Sequence, residues 1–310
     1  MKIKDVHFII NPAAGHDQPI LAYINKLFNN SGVNWDVSIS HKAGDIQKIA
    51  QKHVGKAGLI AIYGGDGCVM ELAQELHLTR TPMAILPAGT ANVMAKELGI
   101  PLDIVEALKL ILDSESKLVR IDMGLLNKKP FLIRVNLGIM AEMVVNAERQ
   151  LKDQLGQFAY GLTAFQSLND SIPQKFILEI DGKKIEESGV SLTITNSGNI
   201  GLGQMTMLPG ISITDGKLDV VLMNESNLAD ILKVAGSTLF QTESSVLKHW
   251  KCKEIRIRLN NKQTFICDDS QMVGKELNIK VIPRALNVLV PGLSAQNLFT
   301  LNNTSSSKKK

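Results

Sequence analysis

The stretch Gly64-Gly65-Asp66-Gly67-Cys68 breaks two apolar patterns of different period, and such a break is suited to phosphate chemistry. Before it, Leu59 to Tyr63 is a short run of mostly branched residues with the composition of a buried parallel strand. After it, Val69, Met70, Leu72, Ala73 and Leu76 recur at helical spacing. Glycines between a strand end and a helix start let the backbone take positive φ and bring bare N–H groups close to a ligand, while the helix N-terminus adds partial positive charge. The favoured guest is an anion, phosphate first. Asp66 sharpens the reading. A carboxylate beside a phosphate repels it unless the carboxylate holds a metal ion, accepts a proton or orders water, so chemistry on the phosphate is expected over passive binding. The plain alternatives are a glycine turn kept for geometry and a solvated loop aspartate.

The elements that must position this loop follow the same grammar. Lys2 to Ile10 reads as a strand ending at Asn11-Pro12-Ala13-Ala14-Gly15, followed by a helix through Ile20, Leu21, Ile24, Leu27 and Phe28. Trp35 to Ser40 is a second strand, and Ala43-Gly44-Asp45 opens a helix through Ile46, Ile49, Ala50 and His53. Met83 to Leu86 is the fourth strand. Its loop, Pro87 to Asn92, offers Thr90 as N-cap of a helix through Val93, Met94 and Leu98. Strands alternating with helices predict a parallel sheet, whose ligand crevice lies outside the C-terminal strand ends. Three glycine-bearing loops leave such ends, and their convergence predicts a nucleotide-phosphate site.

Beyond Pro101 the pattern changes. Lys117 to Gly124 reads as a strand leaving the first domain and Phe131 to Gly138 as another. Two helices follow, Ala141 to Leu151 and Gly156 to Leu168. From Lys175 strands dominate: Phe176 to Ile180, Val190 to Thr195, Leu218 to Met223, Ile255 to Leu259, Thr264 to Cys267, Leu277 to Ile282 and Leu286 to Val290, with Asp181-Gly182 a hairpin turn signal. The expectation is an α/β nucleotide-binding domain over 1–125 and an antiparallel β-sandwich over 126–291, with the C-terminal segment, about 292–310, returning to the first.

Composition closes off other classes. The formal charge of +4 and the 5% aromatic content give neither a basic stripe nor stacking platforms, so nucleic acid is disfavoured. The absence of a long apolar run or secretory leader points to a cytoplasmic protein. Cys68, Cys252 and Cys267 lie far apart without a CxxC and read as reduced thiols. The polar tail ending in Lys308 to Lys310 reads as a disordered end suited at most to weak contact with an anionic membrane surface. Exposed strand edges in the α/β domain are compatible with a homodimer.

With these residues assembled, the chain resembles the diacylglycerol kinase catalytic-domain superfamily, in its bacterial lipid kinase branch, which also includes the sphingosine kinases. The resemblance rests on an ordered set: NPAAG at Asn11 to Gly15, GGDG at Gly64 to Gly67, LPAGTANVMAKELGIP at Leu86 to Pro101, RIDMG at Arg120 to Gly124, NLGIMAE at Asn136 to Glu142, LGQFAYG at Leu155 to Gly161, and LPGISITDGKLDV at Leu208 to Val220. GGDG alone is shared with NAD kinases and phosphofructokinases. PxGTxN followed by DGxLD is far more specific.

The resemblance implies an NAD kinase/diacylglycerol kinase-like α/β domain, a β-sandwich domain, ATP in the cleft between them, and a lipid substrate taken from the membrane surface. Carried over by motif, ATP contacts fall on Asn11, Ser40, Gly64, Gly65, Asp66, Gly67, Cys68 and Thr90, with Asn92 supporting the loop. Asp66 would position phosphate and Mg2+, and a structural magnesium site would use Asp215 with backbone carbonyls near Ser212 and Lys217; the plain reading of Asp215-Gly216 is a β-turn.

Two departures stand out. GGDGT of the family is GGDGC here, so the thiol of Cys68 replaces a hydroxyl donor, which is expected to weaken ATP binding. The family's Asp-Gly-Glu becomes Asp268-Asp269-Ser270 or, slid by one, Asp269-Ser270-Gln271; either way the glutamate is missing. Asp268 remains as a base for the acceptor hydroxyl, with Asp269 beside it. The implied function is an ATP- and Mg2+-dependent lipid kinase, with Asp66, Asp268 and Asp269 as catalytic residues and diacylglycerol, a sphingoid base or phosphatidylglycerol as acceptor. The alternatives are a catalytically inactive nucleotide- or lipid-binding homologue and an NAD kinase-like small-molecule kinase, which GGDG favours and the other motifs oppose.

Overall fold

The structure, a computed structural model, describes residues 3–15, 18–141, 173–200, 207–224 and 247–296. The helices expected over Ala141 to Leu151 and Gly156 to Leu168, the motif LGQFAYG and the basic tail lie outside these residues, apart from Ala141 itself. The described chain divides into two compact units. The first draws on Met1–Met123, Ser197–Gly216 and Ile282–Lys310, the second on Gly124–Asn196 and Lys217–Val281.

The first unit is the expected α/β domain. Its elements are β1 (Asp5–Ile10), α1 (Ile20–Phe28), β2 (Asn34–Ile39), α2 (Asp45–His53), β3 (Ile60–Gly64), α3 (Asp66–Leu76), β4 (Met83–Pro87), α4 (Val93–Glu97) and α5 (Ile104–Leu112). The strands are parallel in the order β4-β3-β1-β2. Every residue of β3 and β4 is buried, which is why both read as unbroken apolar runs instead of alternating ones. The helices cover the sheet with one apolar stripe each: Ile20, Ile24 and Phe28 on α1, and Val69, Met70, Leu72, Ala73 and Leu76 on α3. Asp103 caps α5 by accepting from the backbone N–H of Val105 and Glu106, both at 3.0 Å.

β5 (Lys117–Leu126) carries the chain into the second unit. That unit contains β6 (Lys129–Phe131), β7 (Arg134–Gly138), β8 (Gln174–Ile180), β9 (Lys183–Gly189), β10 (Ser191–Thr195), β11 (Leu218–Met223), β12 (Leu247–Cys252), β13 (Glu254–Cys267) and the first part of β14 (Ser270–Val290). All its pairings are antiparallel, and it forms the expected β-sandwich. Asp181 and Gly182 make the β8–β9 turn with φ of 46° and 82°, the left-handed pair a two-residue type I′ turn requires. One long strand, β13, replaces the two expected over Ile255 to Leu259 and Thr264 to Cys267. Its register on β14 shifts between Arg258 and Gln263, so that its first half pairs with β8 and its last residues with β7.

The structure corrects two boundaries. Residues 197–216, expected in the β domain, belong to the first unit, where the Glu97 carboxylate accepts from Ser197 Oγ and the Asn199 N–H at 2.8 and 2.7 Å. The chain also returns to that unit at Ile282, not near 292. There the end of β14 runs parallel to β4, with Val288 opposite Met83, and Ala285 O accepts from Leu78 N–H. No helix among the described residues is long and apolar enough to cross a membrane.

Candidate active site

The three loops at the C-terminal ends of β1, β3 and β4 meet through atoms rather than through general proximity. A Cβ built on Gly89 would lie 2.6 Å from the Gly65 Cα, and one on Gly65 would lie 3.2 Å from the Gly89 Cα, so the two backbones pass each other at a distance only glycine permits. A Cβ on Gly64 would lie 2.5 Å from that of Cys68, the first turn of α3 folding back over the strand end. Asn11 ties in the first loop: its Nδ2 donates to Cys68 Sγ at 3.1 Å, its Oδ1 accepts from Ala13 N–H at 3.0 Å, and its own N–H donates to Tyr63 O.

Asn92 closes the β4 loop. Its Oδ1 accepts from the Gly89 N–H at 2.8 Å and its Nδ2 donates to Gly89 O at 2.7 Å. With φ and ψ both 48°, Asn92 also stands at the N-cap of α4, the place expected of Thr90. Thr90 is instead exposed in the loop, because the Asn92–Gly89 ring delays the helix start to Val93. Asp66 begins α3 and reaches across to α4, where its Oδ1 accepts from Met94 N–H at 3.3 Å. Gly67 lies in the same first turn, and Ser40 sits buried at the end of β2, its Oγ donating to Ile10 O at 3.3 Å.

Ser212 and Asp215 lie in a separate loop of the same unit, with Lys217 exposed just after it. Ser212 Oγ pairs with Thr214 Oγ1 at 3.3 Å. The residue that holds this loop is Asp122. Fully buried, it accepts from Gly216 N–H at 2.6 Å and Arg284 N–H at 2.7 Å, while its own N–H donates to Ile213 O. Burial lifts its carboxyl above the usual carboxylate range against the pull of those two donors. Asp122→Ala is expected to destabilise the protein by ~1–3 kcal/mol, since it leaves two part-buried N–H groups without their acceptor. Urea unfolding checks this, and a loss below ~1 kcal/mol would refute the anchoring role.

In the second unit, Asp268 and Asp269 form the two-residue turn between β13 and β14, where Cys267 pairs with Ser270. Asp268 has φ of 50°, and its carboxylate accepts three backbone N–H bonds, from Leu132 at 2.8 Å on Oδ2 and from Ile133 at 2.9 Å and Arg134 at 2.8 Å on Oδ1. These bonds explain why the strand expected over Phe131 to Gly138 breaks into β6 and β7: Leu132 and Ile133 turn their N–H groups to the carboxylate. Burial drives the Asp268 carboxyl up to about 6 and the neighbouring charge of Asp269 adds to the rise, while the three N–H donors pull partly against it. Asp269 is exposed at the turn.

This arrangement of loops and turn coincides with the span of two family models. The model for the diacylglycerol kinase catalytic domain matches residues 5–125, and that for the YegS C-terminal NAD kinase β-sandwich-like domain matches 134–290. The chain belongs to the diacylglycerol kinase catalytic-domain family. Among members of this lipid kinase family, a protein named "Diacylglycerol kinase" from Bacillus subtilis strain 168 is 26% identical, with 96% of this chain aligned to 99% of that one. A protein named "Probable lipid kinase YegS" from Salmonella newport strain SL254 is 28% identical over 91% of this chain and 95% of its own. The crystal structure of "a putative diacylglycerol kinase" from Bacillus anthracis strain Sterne superposes with a TM-score of 0.81 at 25% identity, covering 94% of this chain and 98% of that one.

Sequence reasoning missed three residues that shape the candidate site. Gly89 lay within a motif that was singled out, but its packing on Gly65 had no signal in either loop alone. Asp122 was visible as a lone carboxylate in the apolar stretch LVRIDMG, a pattern that marks a buried acid. Glu97 had no signal, because its partners lie about a hundred positions along the chain.

Proposed function

We propose that this member of the family is an ATP- and Mg2+-dependent lipid kinase that transfers the γ-phosphate to a hydroxyl of a diacylglycerol, sphingoid base or phosphatidylglycerol class lipid at a membrane surface. The observation that carries the reading is the Gly65–Gly89 contact, which makes two glycine loops and the Asn11 loop into one anion-receiving surface at the C-terminal sheet edge. The names borne by the relatives supply the lipid acceptor.

In this reading Asn11, Ser40, Gly64, Gly65, Gly67, Cys68 and Thr90 bind the nucleotide and Asn92 holds the loop in shape. A thiol at Cys68 is a weaker donor to phosphate than a hydroxyl. Asp66 offers a carboxylate oxygen beyond its bond to Met94, and Asp215 with the carbonyls near Ser212 and Lys217 offers the hard oxygen donors that magnesium prefers. Magnesium held at Asp66 would neutralise phosphate charge, whereas magnesium at the Asp215 loop would serve structure. Asp268 takes the proton of the acceptor hydroxyl: its three amide donors fix the carboxylate and leave a lone pair on Oδ2, and its raised value suits proton transfer near neutral pH.

The test is transfer of labelled γ-phosphate from ATP into organic-extractable product, with purified protein, magnesium and mixed micelles of the three lipid classes. Label that Asp66→Ala abolishes supports the kinase. ATP binding without label across the panel would favour the inactive binding homologue, a reading supported by Ser270 or Gln271 in place of the family's glutamate.

A further inference from the structure

The opposite, N-terminal edge of the parallel sheet carries a second cluster that the proposed reaction does not use. His7 on β1 is only 2% exposed, and its Nδ1 lies 2.6 Å from Oδ1 of Asp36, its register partner on β2. The ring stacks on that of His53, the last residue of α2, with centroids 3.5 Å apart and planes 18° from parallel. One ligand atom from each of the three residues lies within 4.8 Å of the others. They line a cavity of about 280 Å³ shared with Asp5, Trp35 and Lys56.

The hydrogen-bonding state of His7 decides what the cluster can do. A carboxylate only accepts, so Nδ1 of His7 carries a proton, and in the neutral ring the lone pair is then on Nε2. That Nε2 is buried without a hydrogen-bond partner. Unsatisfied buried polar atoms are rare in folded proteins, and those that persist call for a ligand or a function. Carboxylate to Nδ1–H, with Nε2 bare, is the arrangement that prepares a histidine to bind a metal ion: the acid fixes the tautomer and raises the basicity of the free nitrogen. A second imidazole stands against it. Two imidazole nitrogens beside a carboxylate select zinc-class ions and disfavour magnesium, which takes oxygen donors and keeps its water.

We propose that His7 Nε2 and a ring nitrogen of His53 bind a divalent transition-metal ion of the zinc class, with Asp36 orienting His7 and balancing charge. His53 is half-exposed at the helix end, so its ring can swing out of the stack to aim its lone pair, and the end of α2 is the helix pole that favours a cation. Water completes the coordination from the open side of the cavity, where Asp36 is 64% exposed. Bound there, the ion pins α2 to β1 and β2, away from the loops that receive phosphate.

The experiment titrates metal-stripped full-length protein with Zn2+ by calorimetry and with Co2+ by visible absorption, alongside His53→Gln and Asp36→Asn, both at sites exposed enough to tolerate change. The expected result is one Zn2+ per chain, undisturbed by millimolar Mg2+, and at least ~10-fold weaker in each variant. Long-range imidazole NMR should show His7 Nε2 shifting on Zn2+ addition. Zn2+ binding of the same strength in His53→Gln, or no saturable binding by the wild-type protein, would overturn the proposal. None of these readouts depends on kinase activity.

Discussion

Asp268→Asn should lower phosphoryl transfer by ~10²–10⁴-fold, the range expected for loss of a positioned general base. An amide cannot take the hydroxyl proton, and its NH₂ would face the Leu132 N–H that Oδ2 now accepts. Nucleotide binding, which the proposed function assigns to the loops of the other unit, should change little, so the loss should appear in kcat with the affinity for ATP retained. The wild-type pH profile provides the second half of this prediction. Because the base acts ionised, kcat/KM should climb as pH rises through about 6 and then level. Activity that stays flat to pH 5, or that survives in the variant, would remove Asp268 from the chemistry and leave it as a fastener of residues 132–134.

The same raised value has a consequence for stability of opposite direction. Between the ordinary carboxylate value of 3.8 and about 6 the folded protein binds more proton at Asp268 than the unfolded chain does. This group's contribution to stability is therefore full below that window and is lost as pH rises through it. Asp268→Asn should flatten the slope over those pH values in a series of urea titrations, whatever it does to the absolute stability.

Gly89→Ala is expected to damage the first unit through a single added methyl group. The added Cβ would stand 2.6 Å from the Gly65 Cα, closer than such atoms pack, and the obstacle is backbone on both sides instead of a side chain that can swing away. Separating the two loops should cost ~1–3 kcal/mol of stability and weaken nucleotide binding by ~10-fold or more, because the N–H groups of both loops no longer converge. Gly198→Ala in the same unit is the control: its nearest neighbour, Ile211 Cβ, would be 3.4 Å away, an ordinary contact. Thermal unfolding and titration with a fluorescent nucleotide analogue measure both effects. Equal behaviour of the two variants would mean that the Gly65–Gly89 approach does not shape the site.

The sequence by itself determined the elements whose burial is periodic along the chain. β3 and β4 were readable because strands covered on both faces are apolar throughout, and α1 and α3 because one stripe faces the sheet. The same logic failed at edges. β9, with the sequence KKIEESG, and β12, LKHWKC, each pair with one neighbour and carry charged residues toward water, so no apolar alternation marked them. β14 read as two strands because Pro283 interrupts it, yet it continues through Arg284 in a left-handed conformation, held by the Asp122 carboxylate.

The positions of the glycine loops and of Asp66 in them were also legible, since glycine runs are local signals, whereas Asp268 was reached only through the family's motif. What only the tertiary structure decided is how those loops are fastened: Gly65 against Gly89, Asn11 to Cys68, Asn92 in place of Thr90 as the start of α4, and Asp268 holding three amides far back in the chain. Residue spacing encodes contacts within a helix or strand because the backbone repeats. It does not encode a contact between two turns, where one hydrogen bond or one missing methyl group is shared by segments that meet only after the sheet has formed.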